Sequence, residues 1–188
     1  MIILGLDIST AITAYTLVNT EGPQKDFVLK YDGIHLGKQK SLYDKAEVIR
    51  NHFLSLDKEY KVDLVCAEES LQSFRRGLSS AKTLSTLTRF NGIVCFLAED
   101  IFKTEVSLIN VIHARSNLGL KINRKSELTT KDQVLEWAMN NQELSSIHWP
   151  KKKLKSGPRA GCIINDPSCY DIADSAVMSL YGKHNLST

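Results

Sequence analysis

Residues 2–10 of the chain read IILGLDIST, a short apolar run that ends on an aspartate. Such an unbroken apolar run is typical of a central strand that is buried on both faces of a sheet. We therefore predict a strand over Ile2 to Leu6, with Asp7 at or near its exposed end.

Two more β-prone runs follow this strand closely. They cover Thr13 to Val18 and Phe27 to Leu36, and the turn-forming sequence Glu21-Gly22-Pro23 separates them. Three consecutive strands with short connections predict an antiparallel meander.

The remainder of the chain alternates between helical and strand patterns. Ser41 is a good N-cap for an amphipathic helix, and the strand pattern from Val62 to Ala67 leads directly into Glu68. The later elements are a helix over Arg75 to Ile101, a strand over Val106 to Ile112, a helix over Thr130 to Asn141, and a last helix from Asp166-Pro167 to Gly182. The order βββαβαβα, ending in a helix, predicts an α/β fold with a mixed five-stranded sheet flanked by helices.

Length and composition favour one domain over residues 1–188, since the chain has 188 residues with ordinary hydrophobic and charged fractions. Its net charge of +3 leaves nucleic-acid binding open without requiring it. The four cysteines lack a C-x-x-C pair, and the amino-terminal segment lacks a basic region or a membrane-spanning length. We expect a cytoplasmic or otherwise intracellular, reducing location and no membrane partner.

Acidic residues follow both buried strands and recur on the last helix. Asp7 ends the first strand, Glu68 ends the fourth, and Asp171 and Asp174 share the helical face turned away from the core stripe. Taken singly, each acid is equally well explained as a cap, a turn residue or a solvated surface group. If the two strands are neighbours, the four carboxylates meet at one edge and suit Mg²⁺ or Mn²⁺, and two such ions support phosphodiester hydrolysis.

These acids lie in motifs that resemble the RuvC family of Holliday junction resolvases, within the RNase H-like superfamily. The resemblance covers residues 4–10 with Thr13-Ala14-Tyr15, residues 65–69, residues 131–134 and the D-x-A-D motif at residues 171–174. It implies that Asp7, Glu68, Asp171 and Asp174 are catalytic metal ligands and that the enzyme is a homodimer that cuts four-way DNA junctions. By the same analogy, the long helix after Glu68 contributes to the dimer interface.

The chain departs from the family pattern at several positions. Ile8 and Ser9 stand where proline and glycine are usual, and Ala14 replaces a common glycine. The aromatic residue expected soon after the glutamate is replaced by Leu71, with Phe74 farther on. We interpret the chain as a divergent or phage-type member, which would act in the host cytoplasm.

Basic residues cluster in three segments that could contact phosphates. The most biased segment is a predicted basic loop at residues 148–161. The candidate nucleic-acid-binding residues are Phe74 as a wedge or stacking residue, together with Arg75, Arg76, Arg115, Lys121, Arg124, Lys125, Lys151, Lys152, Lys153, Lys155 and Arg159.

The sequence therefore predicts a structure-selective, Mg²⁺-dependent endonuclease for four-way junctions, acting by two-metal-ion hydrolysis. One alternative keeps the fold and changes the substrate to an RNA–DNA hybrid or to other branched or single-stranded nucleic acid. The others are an actin-like ATP-binding protein, which the first motif also resembles, and a DNA-binding module without catalysis.

Overall fold

A mixed five-stranded sheet forms the centre of the structure, a computed structural model that describes residues 1–69 and 81–186. Its strands are β1 (Ile2–Asp7), β2 (Ile12–Asn19), β3 (Val28–His35), β4 (Leu64–Glu68) and β5 (Val106–Ile109). The strand order is β3-β2-β1-β4-β5, with antiparallel pairing among the first three and parallel pairing of β1, β4 and β5. The predicted meander and mixed sheet are confirmed.

Helices cover both faces of this sheet. The described helices are α1 (Leu42–Glu59), α2 (Ala81–Phe102), α3 (Val111–Asn117), α4 (Thr130–Asn140) and α5 (Ser168–Asn185). Helices α1 and α2 share one hydrophobic cluster with the sheet, and α3, α4 and α5 share a second cluster. Two apolar cores, one on each face, explain why β1 reads as a continuous apolar run.

Capping boxes start two of the described helices, and the N-cap predicted at Ser41 is confirmed. The Ser41 hydroxyl accepts a hydrogen bond from the Asp44 amide, and the Asp44 carboxylate accepts one from the Ser41 amide. Thr129 and Asp132 form the same reciprocal box at the start of α4. Each box satisfies two amide donors that the first helical turn leaves without partners.

Two predicted boundaries are wrong, and part of the predicted basic loop is a strand. Strand β5 ends at Ile109, because the Asn110 side chain accepts from the amides of Ile112 and His113 and starts the unpredicted helix α3. Helix α5 continues through Gly182 to Asn185, and that glycine instead allows close packing: a Cβ there would lie 2.6 Å from the Cys66 sulfur. Within the predicted basic loop at residues 148–161, Lys151–Lys153 form strand β6, which pairs with β7 (Ile163–Asn165) beyond the loop.

The cysteines are unpaired, with Cys66 and Cys169 buried, Cys95 half-buried and Cys162 exposed. Over the described ranges, no helix combines the length and the apolar character needed to cross a membrane. The beginning of the predicted Arg75 helix lies outside the described residues, which resume with α2 at Ala81.

Candidate active site

Asp7 and Glu68 end two neighbouring strands at the same edge of the sheet. Strands β1 and β4 are parallel, and Leu6 is aligned with Ala67, so the two acids that follow them stand side by side. Because parallel strands finish at one edge, both carboxylates lie at the carboxyl edge of the sheet. We call this region, with the acids of α5, the carboxylate edge.

Helix α5 brings Asp171 and Asp174 to the same edge. The charges of Asp174, Glu68 and Asp171 all act on Asp7 and raise its pKa, which places the four carboxylates within electrostatic reach of one another. Asp7 is therefore within electrostatic reach of the other three acids, and their joint role as a metal site stays a prediction.

The helix reaches this position because small and hydroxyl side chains let it approach the sheet closely. The Thr16 and Ser175 hydroxyls lie 2.7 Å apart, and the Ser179 hydroxyl donates to the Thr16 carbonyl at 2.7 Å. Thr16, Ser175 and Ser179 are fully buried. These hydrogen bonds satisfy polar groups that would otherwise destabilise the interior, and they fix α5 against β2.

Burial and mutual repulsion make the carboxylate edge costly to ionise. Burial is the main cause of the raised pKa of Asp7, followed by the charges of Asp174, Glu68 and Asp171. Burial also raises the pKa of Glu68 to about 7, with Asp174 adding to the shift. The pKa of Asp171 is raised by burial as well, although Lys131 opposes this. Such clustered, desolvated carboxylates favour either protons or a cation.

Two cations contact the acids of α5. Arg115 donates through Nη2 to Asp174 Oδ1 at 2.7 Å, and Lys131 donates to Asp171 Oδ1 at 3.2 Å. The Arg115 side chain is only 16% exposed, whereas that of Lys131 is 60% exposed. Arg115, predicted to contact nucleic acid, is therefore directed at Asp174. Lys131 was not singled out as a site residue by its sequence.

The side chain of Asp174 is more buried than the helical pattern predicts. The helical pattern of α5 predicts an outward, solvated face for Asp171 and Asp174, yet Asp174 is only 6% exposed. Helix α5 packs against the sheet, α3 and α4, and Asp174 itself bonds to Arg115 of α3. Its carboxylate thus faces the carboxylate edge and not bulk water.

The four acids fit a divalent metal by their chemistry. Carboxylate oxygens are hard donors suited to Mg²⁺ or Mn²⁺, and a cation among them would offset the repulsion that raises the pKa of Asp7. As the side chains of the described residues are placed, no group of three acids, histidines or cysteines encloses a metal position. Asp171 and Asp174 each engage one carboxylate oxygen, Oδ1, with Lys131 and Arg115, respectively.

Most of the remaining predicted nucleic-acid contacts lie on the surface. Phe74, Arg75 and Arg76 fall outside the described residues. The exposed ones are Lys121, Arg124, Lys125, Lys151, Lys152, Lys153, Lys155 and Arg159. Whether they touch nucleic acid stays a prediction.

Basic residues that were not predicted as site residues lie on the connection from β3 to α1. His35 ends β3, and its charge lowers the pKa of Asp171 and of Asp166, so it lies near the carboxylate edge. Lys38 and Lys40 follow it and are exposed. The signal was the sequence GKQK at residues 37–40, between a strand and a helix and separated from His35 by one residue.

The fold of the chain is similar to that of solved RuvC structures. The chain is similar to Thermus thermophilus RuvC in complex with Holliday junction substrate, at a TM-score of 0.62 and 15% identity over 98% of this chain and 95% of that one. A second T. thermophilus RuvC structure gives a TM-score of 0.60 at 16% identity, covering 98% and 96% of the two chains.

A eukaryotic protein shares the fold. The yeast mitochondrial Holliday junction resolvase aligns at a TM-score of 0.55 and 16% identity over 96% of this chain and 77% of that one. Neither a family model nor a curated protein matches the sequence. The expected RNase H-like fold of RuvC type is thereby confirmed.

Proposed function

We propose that this protein is a metal-dependent endonuclease that cleaves four-way DNA junctions. The observation that carries the proposal is the convergence of Asp7, Glu68, Asp171 and Asp174 at one edge of a RuvC-type sheet. A solved neighbour of this fold is described in complex with Holliday junction substrate. Four converging acids in that fold support hydrolysis more directly than a binding role without catalysis.

The proposed cofactor is Mg²⁺, with Mn²⁺ as a substitute, held by the four carboxylates as a two-ion site. When bound, these ions would supply Lewis acidity toward the phosphate and a more acidic water for hydrolysis. Asp7 and Glu68 are held by the sheet, while Asp171 and Asp174 are held by α5. This division gives two ligands on each rigid element.

Arg115 and Lys131 have separate proposed tasks. Arg115 is mostly buried and holds Asp174 toward the site, since its guanidinium lies 2.7 Å from that carboxylate. Lys131 lies at the start of α4 and is more exposed, so its ammonium can turn from Asp171 to a phosphate of the substrate. Both cations also lower the pKa of Glu68 and favour its ionised form.

A homodimer is proposed because resolution of a junction needs two symmetric cuts. Helix α2 exposes Phe96 at 65%, and the neighbouring edge strand β5 exposes Leu108 at 56%. Large apolar side chains left in water commonly mark a protein interface. The exposed side chains of Phe96 and Leu108 are the proposed dimer contact.

The effect of Mg²⁺ on thermal stability is expected to increase between pH 6 and pH 8. Glu68 has a folded-state pKa of about 7, above the ordinary value of 4.5. The stabilisation from protonated Glu68 is therefore complete below pH 4.5 and declines as pH rises through about 7, because the folded state must then lose that proton to solvent and keep a charge in a desolvated site. A metal needs the ionised form, so its binding strengthens over the same range.

Thermal unfolding with Mg²⁺ and with EDTA at the two pH values measures this effect. Asp57→Asn, at an exposed acid of α1, serves as the control. Its stabilisation by Mg²⁺ should still increase from pH 6 to pH 8. An equal Mg²⁺ shift at both pH values would contradict the assigned ligands.

The proposed function is tested by Mg²⁺-dependent cleavage of a synthetic four-way junction beside linear duplex and an RNA–DNA hybrid. We expect paired, symmetric nicks in the junction alone, and their loss in Asp171→Asn. Preference for the hybrid would assign the same site to an RNase H-type activity. Binding of the junction without any cleavage would leave a DNA-binding module.

A further inference from the structure

The hairpin β6–β7 and its connection form a positively charged ribbon. Residues 150–165, here the basic ribbon, contain five cations, and no acid occurs between His148 and Asn165. All five are exposed. Lys152, Lys153, Lys155 and Arg159 take part in none of the ion pairs among the described residues. Cations crowded in this way repel one another unless an anionic partner is present.

The base of the ribbon is fixed to the sheet. The Tyr31 hydroxyl of β3 accepts from the His148 amide at 2.7 Å and donates to the His148 carbonyl at 3.3 Å. The Asp166 amide donates to the Pro150 carbonyl at 2.9 Å. These hydrogen bonds connect the ribbon to β3 on one side and to the start of α5 on the other.

Backbone hydrogen bonds also fix the far end of the ribbon. The Leu154 amide donates to the Cys162 carbonyl at 2.9 Å, and the Gly161 amide donates to the Leu154 carbonyl at 2.8 Å. Gly157 and Gly161 have φ values of +84° and +91°, which glycine adopts without strain. A surface fixed in this way loses little conformational entropy when it binds a partner.

The two faces of the ribbon differ. Lys151 and Lys153 lie opposite Asn165 and Ile163, and alternation along a strand places these four side chains on one face. Ile163 is 71% exposed, whereas Ile164, on the other face with Lys152, is half-buried. The free face thus combines cations with an exposed apolar side chain, which suits a partner with both anionic and apolar groups.

The base of the ribbon lies beside the carboxylate edge. Its last strand leads through Asp166, which accepts from the Ser168 amide at 3.0 Å, into the helix that carries Asp171 and Asp174. The charges of Lys152 and His35 lower the pKa of Asp166, so the base of the ribbon lies next to the end of β3. A polyanion held at the carboxylate edge would therefore pass close to the ribbon.

We propose that the basic ribbon binds a double-stranded arm of the DNA, with its cations on the phosphates and its free face in a groove. The nature of the polyanion rests on the function proposed above. A two-stranded β-ribbon fits the major groove of B-form DNA, whereas single strands are commonly bound on exposed aromatic side chains. The ribbon itself carries no aromatic residue between residues 150 and 165. Phosphate contacts of this kind position the arm without reading its sequence.

The test compares two triple variants with the same change in charge. The ribbon variant combines Lys153→Ala, Lys155→Ala and Arg159→Ala. The control combines Lys25→Ala, Lys58→Ala and Lys61→Ala. These lysines are exposed: Lys25 precedes β3, Lys58 lies at the end of α1 and Lys61 precedes β4. All three are at the end of the sheet opposite Asp7. A third variant, Lys153→Arg, Lys155→Arg and Arg159→Lys, keeps the charge of the ribbon.

Binding is measured in metal-free buffer by fluorescence anisotropy, on junctions with arms of about two helical turns or about half a turn. For the ribbon variant on long arms, we expect roughly hundredfold weaker binding near 0.15 M salt and a salt slope shallower by about 2.7, which is the loss of three phosphate contacts. The control and the charge-preserving variant should bind like the wild type. Short arms should show a much smaller loss.

Wild-type affinity of the ribbon variant on long arms would overturn the proposal, as would an equal loss on long and short arms. Binding is measured without metal and does not depend on cleavage. A protein that cleaves no junction would therefore refute the proposed function but not the role of the ribbon in binding. Far-ultraviolet circular dichroism confirms that each variant is folded before binding is compared.

Discussion

Asp7→Asn is expected to slow junction cleavage by about a thousandfold or more, corresponding to about 4 kcal/mol of lost transition-state stabilisation. Asp7 ends the central strand beside three other carboxylates, and its pKa is raised by burial and by their charges. The substitution removes one charge from this crowded site without changing its shape. Metal-free stability should therefore be equal or greater, and junction binding in EDTA should not weaken.

Single-turnover cleavage, thermal unfolding and anisotropy on the same preparation separate these effects. Asp57→Asn, at an exposed position of α1, is the matched control and should cleave at the wild-type rate. Loss of cleavage through unfolding would indicate a structural role for Asp7, and wild-type cleavage would show that the assigned site is wrong. A gain in stability together with a loss of activity is the result expected of a functional acid.

The strand-end acids could be predicted because their positions depend on local patterns. An apolar run that stops at Asp7, and another that stops at Glu68, specifies two buried strands and their exposed ends. Only the adjacency of those strands needed further information, which the family resemblance supplied. The parallel register of β1 and β4 then accounts for the proximity of the two carboxylates.

The partners of the acids could not be predicted in the same way. Arg115 contacts Asp174 across 59 positions of the chain, from a helix of seven residues that is too short to show a periodic pattern. Periodicity also misplaced Asp174 in solvent, since it identifies the apolar face of α5 but not the elements that cover the opposite face.

The ribbon is a second case in which distant contacts override local preference. Three consecutive lysines have little β propensity, and the glycines and proline between Leu154 and Cys162 favour a loop. Pairing with Ile163 to Asn165, and attachment to Tyr31 of β3, produce a strand at Lys151–Lys153 nonetheless. Propensity describes the isolated segment, while the hairpin depends on residues that it meets only in the fold.

Gly5→Ala is expected to destabilise the protein by about 3 kcal/mol, the upper part of the range for added atoms in a well-packed core. A Cβ at Gly5 would lie 2.2 Å from the Ser175 carbonyl oxygen, 2.3 Å from the Ser179 hydroxyl and 2.6 Å from the Ser179 amide nitrogen. Two of these three atoms are backbone, so no side-chain rotation relieves the clash. Helix α5 would have to move away from β1.

That movement links stability to the proposed site, because α5 carries Asp171 and Asp174. At roughly 2 to 4 °C per kcal/mol, the midpoint of thermal unfolding should fall by about 6 to 12 °C. Cleavage measured well below the new midpoint should fall as well, since two of the four acids are displaced. The control is Gly92→Ala in α2, where no heavy atom lies within 4 Å of the added Cβ.

The control substitution should stabilise the helix by about 0.5 to 1 kcal/mol. An unchanged midpoint for Gly5→Ala would mean that the close approach of α5 to β1 does not set the position of the acids, whereas a lower midpoint with full activity would mean that the acids tolerate the shift.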